Sequence, residues 1–386
     1  MHLWVCDQTE KSNDTFEDYG LFTQVEQLNK TALKAHGLDK NGHLYKVNSF
    51  DFHRFEDTIK LADDPDYNQT AFEGMLEIKG DSDHIKLIEM LDALNDDAQK
   101  IDDVLDTYFD TENLVYWMAF QILTGNCDTQ NRNCYLYSPL NSKVWYILDW
   151  DNDGMLRKLE LSLTGFSDYA SWERGVSNYW GNVLFNRALR SKSFRSELDS
   201  AVKDLRSYLT EERLSKMVEH YREVTEPLVF AAPDLENLPV TKDEYKQIAA
   251  AIPSEIEENY KSYRESYKKP MPFYIGVPQI DNGKLRVNWD ASYDFKARDI
   301  RYTVELARDY AITDVIFKAE DVLLPEVTCD APDTGQYFVR VRATNSDGYT
   351  QDAFDYYVTD GGKQYGMKCF YVQDGGKVVE DTYEEG

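Results

Sequence analysis

Apolar residues recur at spacings of three and four along several stretches of the chain, which is the period of a helix with one buried face. The clearest stretch is 111–123, which follows the polar residue Asp110. A longer one covers 182–267, and 55–105 also looks helical. The pattern predicts an isolated helix before residue 125 and an all-helical core between residues 182 and 267.

Two short apolar runs interrupt this helical period. They are Tyr135-Leu136-Tyr137 and Trp145-Tyr146-Ile147-Leu148, and the turn-forming segment Ser138-Pro139-Leu140-Asn141-Ser142 separates them. Short apolar and aromatic runs bounded by Pro, Asn and Ser are typical of paired β-strands. The pattern predicts a hairpin with polar residues where its strands begin and end.

Beyond residue 272 the apolar period changes to two, as in strands that bury one face. The alternation is clearest in residues 284–289, 302–306 and 337–344. Just before this change lies the charged, proline-rich segment Lys268-Lys269-Pro270-Met271-Pro272. Segments of this composition often separate domains, so we expect a domain boundary here.

The expected organisation is therefore multidomain. Residues 1–270 are predicted to form an α+β domain with a mainly helical second half, and residues 271–360 an all-β sandwich. Residues 361–386 hold a strand pair around Asp374-Gly375-Gly376 and an acidic end, and receive no domain assignment.

Composition excludes several classes of protein. The chain has 386 residues, of which 42% are hydrophobic and 13% aromatic, so it has enough apolar surface for packed cores. Its net charge of −28 opposes nonspecific attraction to nucleic acid or to anionic membranes, and suits a basic or neutral substrate. No apolar run approaches the roughly 18 residues of a transmembrane helix.

The first residues do not read as a signal peptide. Charged residues follow Met1 too closely, at Asp7, Glu10, Lys11 and Asp14. Secretion is therefore not visible in the sequence itself.

The five cysteines have no C-x2-C spacing, and their odd number argues against a complete disulfide framework. Cys127 and Cys134 lie on either side of a polar loop. They either pair with each other or remain two reduced, half-buried thiols, and the second interpretation is favoured.

The chemistry of this loop is indicated by the order of three residues. Asp128 is followed five positions later by Asn133, and Asp149 ends the second predicted strand. Protein kinases place a catalytic base and two magnesium ligands in this order. A carboxylate at Asp128 would accept the proton of a substrate hydroxyl, while the oxygens of Asn133 and Asp149 would hold the cation bound to the nucleotide phosphates.

A second motif overlaps this one. Asp149-Trp150-Asp151-Asn152-Asp153-Gly154, with Glu160 in twelfth place, satisfies the pattern of a calcium-binding loop. An EF-hand requires a helix before the loop, whereas residues 144–148 are predicted to form a strand, and Arg157 replaces a small polar ligand. Both interpretations expect Asp149 and Asp151 to face a divalent cation.

These residues resemble the CotH kinase family, which comprises secreted atypical kinases named after a spore coat protein. The resemblance rests on Gly125-Asn126-x-Asp128-x4-Asn133-x-Tyr135-Leu136-Tyr137 and on Leu148-Asp149-Trp150-Asp151, and it spans roughly residues 1–265. It implies that Asp128 is the catalytic aspartate and that Asn133, Asp149 and Asp151 form the metal site. It also implies a bacterial, secreted or surface protein that uses ATP with Mg²⁺ or Mn²⁺ to phosphorylate Ser or Thr hydroxyls.

The amino-terminal part shows a weaker resemblance and a departure. Tyr19-Gly20-Leu21-Phe22 and Gly42-His43-Leu44-Tyr45-Lys46 resemble segments of the family's first lobe, which implies that Glu26 and Lys46 lie on the nucleotide side. Family members place an Arg-rich segment and a lysine-bearing strand earlier still, whereas only eighteen residues precede Tyr19. The resemblance therefore implies that part of the first lobe is missing from this sequence.

The carboxy-terminal region resembles a fibronectin type III domain. Trp289 lies on an early strand, and Tyr-x-Val-x-Val-x-Ala-x-Asn-x-x-Gly ends at Gly348. Such a module implies a spacer or a platform for a surface or glycan partner. The alternative to a kinase is thus an inactive surface protein that has a divalent-cation site, with Ca²⁺ as the ion, and an adhesive module.

Overall fold

The computed structural model of the protein describes residues 1–9, 15–165 and 170–381, so the last five residues of the predicted acidic end lie outside the described ranges. The chain forms two compact units. The first unit comprises Met1–Ser167 and Arg187–Asn259, and the second comprises Asp168–Asn186 and Tyr260–Gly386.

The helices confirm the helical periods that the sequence shows on either side of the hairpin. In chain order they are α1 Lys30–Ala35, α2 Gln69–Met75, α3 Ile85–Asn95, α4 Ile101–Tyr108, α5 Thr111–Thr124, α6 Lys158–Thr164, α7 Val183–Arg190, α8 Lys192–Tyr208, α9 Glu211–Val229 and α10 Lys242–Ser266.

The strands fall into a short series in the first unit and a longer one in the second. The first series is β1 His2–Cys6, β2 Phe16–Leu21, β3 His43–Val47, β4 Leu76–Ile78, β5 Cys134–Ser138 and β6 Tyr146–Asp149. The second is β7 Gln279–Asp281, β8 Lys284–Asn288, β9 Ile300–Ala307, β10 Val315–Val322, β11 Glu326–Asp330, β12 Gly335–Asn345, β13 Thr350–Asp352, β14 Tyr356–Thr359, β15 Gly362–Tyr365, β16 Met367–Val372 and β17 Val378–Glu380.

An antiparallel sheet in the order β4-β3-β5-β6 forms the strand layer of the first unit. The predicted hairpin is its β5–β6 pair, which is confirmed. Helix α5 packs against α8, and the apolar stripe of α5 is buried, as its period predicted. A helix-plus-strand region therefore precedes the all-β region.

Local signals explain both ends of α5. Asp110 caps its start by accepting a hydrogen bond from the Asn113 backbone N–H at 2.9 Å. Gly125 ends it with a φ of 69°, the left-handed conformation that favours glycine. A Cβ on Gly125 would lie 2.7 Å from the Asn259 side chain, so the turn also requires the absence of a side chain. The chain leaves α5 in a fixed direction.

The helical prediction for 55–105 is wrong at residues 55–68, which form turns and irregular backbone, and at residues 76–78. Leu76 to Ile78 form β4, which pairs with β3 through Tyr45↔Ile78 and Val47↔Leu76. Leu76 is fully buried by this pairing. The strand is short and its partner is distant in sequence, so contacts made on folding decide its conformation rather than its local period.

A buried histidine network lies under β3. His84 is fully buried, and its Nδ1 and Nε2 lie 2.9 and 3.1 Å from the hydroxyl oxygens of Tyr45 and Tyr67. Its ring stacks on Phe72 with 4.1 Å between centroids. Burial lowers the pKa of His84 from 6.5 to about 4, although Asp83 and Asp81 act in the opposite direction. The folded protein therefore holds this imidazole neutral at pH values where the unfolded chain protonates it.

This difference predicts a loss of stability in mild acid. The unfolded chain binds a proton at His84 below a pH of about 6.5, and the folded chain only below about 4. The stabilisation that comes from keeping His84 neutral is therefore complete above pH 6.5 and is lost as the pH falls from 6.5 to 4. The expected loss in the free energy of unfolding is about 3 kcal/mol. Urea unfolding of the wild type and of His84→Gln between pH 4 and 7 measures it.

The His84→Gln variant should show a shallower dependence on pH, whatever its stability at pH 7. His36→Gln is the matched control because His36 is an exposed histidine in the same unit. A dependence that is the same in wild type and His84→Gln would contradict the prediction.

The second unit contains the predicted β-rich region. One antiparallel sheet has the order β10-β9-β12-β16-β17 with β13 on β12, and a second has the order β11-β8-β7. The three strands predicted from the period of two are β8, β9 and β12, which are confirmed. Trp289 is buried against Tyr302, with 5.2 Å between ring centroids.

The strand pair expected around residues 374–376 is also confirmed. Strands β16 and β17 pair across the turn Asp374–Gly376, and β16 lies directly beside β12. Phe370 of β16 is fully buried in the core of the unit. Strands β16 and β17, which lie after residue 360, therefore belong to the main sheet of the second unit.

Within the described ranges, none of the helices combines the length and the apolarity that crossing a lipid bilayer requires.

Candidate functional site

The loop between α5 and β5, residues 126–133, carries the first candidate residues. Asn126 and Thr129 are buried, and the Thr129 hydroxyl donates a hydrogen bond to the Asn126 carbonyl at 3.2 Å. The Phe50 backbone N–H donates to the Asn131 carbonyl at 2.8 Å. Buried residues and a backbone hydrogen bond to a distant segment thus hold this loop. The backbone that carries its polar side chains therefore has a defined conformation.

The structure brings Asp128 and Asn133 together. The Asn133 Nδ2 donates to Asp128 Oδ2 at 2.9 Å and to the Asp128 carbonyl at 3.1 Å. Arg132 Nε lies 3.6 Å from Asp128 Oδ1. The Asp128 side chain is 61% exposed, so a substrate group can reach its carboxylate.

The electrostatic environment raises the pKa of Asp128 above its ordinary value. Loss of hydration is the largest cause, and the charges of Asp151 and Asp153 act in the same direction. Arg132 and Asn133 oppose the rise. A raised pKa brings the carboxyl closer to the value at which it exchanges a proton efficiently near neutral pH.

Asp149 lies at the same end of the hairpin. The β5–β6 register pairs Cys134 with Asp149, so Asn133 is one residue from the position opposite Asp149. Asp149 is open to solvent on one side, but the protein around it removes enough hydration to raise the pKa of its carboxyl. The hydrogen bond from Gln121 acts against this rise, and the neighbouring Trp117 acts in the same direction as Gln121.

The residues after Asp149 form a tight turn with exposed carboxylates. Asp151 has a φ of 57°, and residues Asn152–Gly154 form a turn of 3-10 helix. A Cβ on Gly154 would lie 2.6 Å from Asn126 Oδ1, so this turn approaches the preceding loop closely. Asp153 is exposed, like Asp151. The turn therefore presents two carboxylates beside the loop of Asp128.

Two structural facts argue against the calcium-loop alternative. A strand precedes the loop, as the sequence predicted, where an EF-hand has a helix. Both carboxylate oxygens of Glu160 accept hydrogen bonds from Arg157, at 2.9 and 2.8 Å. The residue expected to complete a calcium site is thus already paired.

The donor chemistry of the site fits Mg²⁺ or Mn²⁺ held together with a nucleotide. Among the described residues, no three His, Cys, Asp or Glu side chains lie close enough together to hold a metal ion by themselves. A kinase site needs fewer protein ligands, because phosphate oxygens complete the coordination. Asp149 supplies a carboxylate, and the Asn133 amide oxygen remains available because its nitrogen bonds Asp128.

The two residues expected on the nucleotide side, Glu26 and Lys46, contact different partners. Glu26 is exposed and pairs with His36, at 2.7 Å. Lys46 on β3 has its ammonium 5.9 Å from the centroid of the Trp150 ring. The described part of the chain contains no ion pair between Glu26 and Lys46.

Sequence reasoning gave no role to Gln121 or Trp117, which both contact Asp149. A signal for Gln121 was present, because it follows Met118 by three residues and therefore lies on the apolar stripe of α5. A polar residue at a core position needs a hydrogen-bond partner. The stripe alone could not show that this partner is Asp149.

The cysteines that border the loop are free thiols, as are the other three. Cys134 is buried, which raises the pKa of its thiol, and Cys127 is half-buried. This agrees with the favoured interpretation of two reduced cysteines.

Comparison with known proteins adds one strong match. A family model described as CotH kinase protein matches residues 9–264. None of the curated proteins matches the chain. Among solved structures, the twitchin kinase region from C. elegans (Fn31-NL-kin-CRD-Ig26) is 17% identical, with a TM-score of 0.19, and the match covers 25% of this chain and 20% of that one. The chain thus matches only a fifth of that structure, and a TM-score this low does not define a shared fold.

Proposed function

The chain belongs to the CotH kinase family, and from this premise we propose that it transfers the γ-phosphate of ATP to Ser or Thr hydroxyls of a protein. The observation that carries the proposal is the grouping of Asp128, Asn133 and Asp149 at one end of the β5–β6 hairpin. These are the residue types that kinase chemistry requires, in the order in which kinases place them.

Each side chain has a role that follows from its surroundings. Asp128 is exposed and would orient the acceptor hydroxyl and take its proton. Asn133 holds Asp128 through its amide nitrogen, and its amide oxygen would face the metal, as would the Asp149 carboxylate. A bound Mg²⁺ or Mn²⁺ would neutralise phosphate charge when the nucleotide is present. Asp151 would add a further oxygen ligand beside them.

The nucleotide would lie over the sheet that contains β3. Lys46 is placed beside Trp150, next to Asp149, and would pair with phosphate oxygens. Glu26 would have to leave His36 to reach Lys46, so we place Glu26 on the nucleotide side by family resemblance alone.

We propose an extracellular or surface-associated protein as the substrate, and a secreted or cell-surface location in a bacterium, with the spore coat as one such surface. The net charge of −28 favours acceptors that are basic or neutral. The β-rich part of the second unit would be a fibronectin type III-like module, over about residues 271–360, that binds a surface or glycan partner. The boundary near residue 270 remains a prediction.

Incubation of the protein with γ-labelled ATP and a basic, unstructured acceptor protein tests the proposal. We expect label in acid-stable phosphoserine or phosphothreonine when Mn²⁺ or Mg²⁺ is present, and none when the metal is chelated, because the phosphate charge must be neutralised for transfer. Absence of label with either metal, together with tight Ca²⁺ binding in the absence of ATP, would instead support the inactive cation-binding alternative.

A further inference from the structure

Gln121 is a polar side chain at a core position of the first unit. It lies in the last turn of α5, it has no exposed surface, and the residues that follow it lead into the loop of Asp128. Buried amides in a helix stripe are uncommon, because an apolar side chain of the same size packs there without needing partners. The contacts of Gln121 therefore call for an explanation.

The amide nitrogen of Gln121 is directed at the candidate metal site. Nε2 donates to Asp149 Oδ1 at 2.9 Å and to Asn152 Oδ1 at 3.2 Å. These two oxygens fix the orientation of the amide, since the reverse orientation would place its oxygen against both of them. Gln121 thus holds the Asp149 carboxylate from the side of the helix.

The other end of the amide is unsatisfied. Gln121 Oε1 is buried, and no described residue donates a hydrogen bond to it. A buried acceptor without a donor lowers stability. Packing alone therefore does not explain a glutamine at this position. The hydrogen bonds that Nε2 donates to Asp149 and Asn152 explain it better.

The contacts continue from Asp149 to the Asp128 loop. Asn152 Oδ1 also accepts from Asn126 Nδ2 at 3.5 Å, and Asn126 Oδ1 accepts from the Asp128 backbone N–H at 3.4 Å. These bonds are longer and weaker than those of Gln121. They nevertheless connect the Asp149 carboxylate to the backbone N–H of Asp128 through three amide side chains.

We propose that Gln121 is a positioning residue that orients the Asp149 carboxylate for a divalent cation and links it, through Asn152 and Asn126, to the loop of Asp128. The inference rests on the proposed function, because it assumes that Asp149 binds the metal of a metal–nucleotide complex. Gln121 itself touches neither substrate nor metal in this scheme. It acts by fixing the orientation of a metal ligand at the end of β6.

The test replaces the amide by an apolar group of similar size. Gln121→Met removes both Nε2 contacts and also the unsatisfied oxygen, so its unfolding temperature should equal or exceed that of the wild type. Its affinity for Mn²⁺ in the presence of ATP should fall about 10- to 100-fold, the range seen when a partner of a metal ligand is removed. Calorimetric titration of Mn²⁺, with and without saturating ATP, measures this affinity.

Gln351→Met is the matched control. Gln351 is a buried glutamine on β13 whose Oε1 also has no donor among the described residues and whose Nε2 bonds Ser171. The same substitution there should leave Mn²⁺ affinity unchanged. A loss of affinity common to both variants would show a general effect of substituting a buried glutamine and would overturn the proposal.

Asn152→Ala provides a second variant if Gln121→Met does not fold. Asn152 is only partly buried and accepts from both Gln121 and Asn126, so its loss should weaken Mn²⁺ binding severalfold without unfolding the protein. Wild-type affinity in Gln121→Met, or in Asn152→Ala where that variant is needed, would refute the positioning role while leaving the kinase proposal intact. A wild type that binds no Mn²⁺ with ATP would refute the kinase proposal and this inference together.

Discussion

Replacing Asp128 by asparagine is expected to lower the phosphotransfer rate about 1,000-fold, within the range lost when a general base is removed. Asparagine keeps the shape of the side chain but cannot take a proton from the acceptor hydroxyl. Because Asp128 is 61% exposed, its substitution should leave the unfolding temperature nearly unchanged. Initial rates of label transfer and a thermal unfolding curve measure the two effects.

Asp97→Asn is the control for this experiment, because Asp97 is an exposed aspartate of the same unit that lies outside the candidate site. Its rate should match that of the wild type. If Asp128→Asn instead unfolds the protein, Asp128 is a structural residue of the loop. If it transfers phosphate at the wild-type rate, Asp128 takes no part in the reaction.

Replacing Asp149 by asparagine is expected to weaken Mn²⁺ binding in the presence of ATP at least about 100-fold, the upper limit found when only a partner of a metal ligand is lost. The substitution removes the negative charge that holds the cation but preserves the size of the side chain. Metal binding without ATP should be weak in both proteins, because phosphate oxygens complete the site.

Glu160→Gln separates the kinase site from a calcium loop. Glu160 is paired with Arg157, so its substitution should not change Mn²⁺ binding in the presence of ATP. A calcium loop would behave in the opposite way, with micromolar-order Ca²⁺ binding that needs no ATP and that Glu160→Gln weakens strongly. Binding of that kind, unaffected by Asn133→Ala, would remove the kinase assignment of this loop.

The sequence predicted those elements that local signals determine. Helix α5 has a regular apolar stripe, a capping aspartate and a terminal glycine, and each of these acts within a few residues. The β5–β6 hairpin was equally evident because a turn segment joins two adjacent apolar runs. The candidate residues Asp128, Asn133 and Asp149 could then be placed at one end of the hairpin from their positions in the sequence.

Contacts between distant residues were not predictable in this way. β4 pairs with β3, and β16 pairs with β12, although no local sequence signal identifies these pairings. The bond from Gln121 to Asp149 joins residues 28 positions apart, and the helix stripe reveals only that a polar side chain occupies a core position. Registers and side-chain partners of this kind are set by tertiary packing.

The place of β16 in the second unit affects how the protein resists self-association. β16 covers one long edge of β12, from Gly335↔Val372 to Arg340↔Met367. A proteolytic cut before Met367 that released the following residues would expose a row of unpaired backbone N–H and C=O groups beside a strongly apolar strand. Open edges of this kind recruit strands from other molecules and lead to aggregation. The final strands cover this long edge of β12 and leave as the open edge β17, a strand of only 3 residues that offers few unpaired backbone groups to a neighbouring molecule.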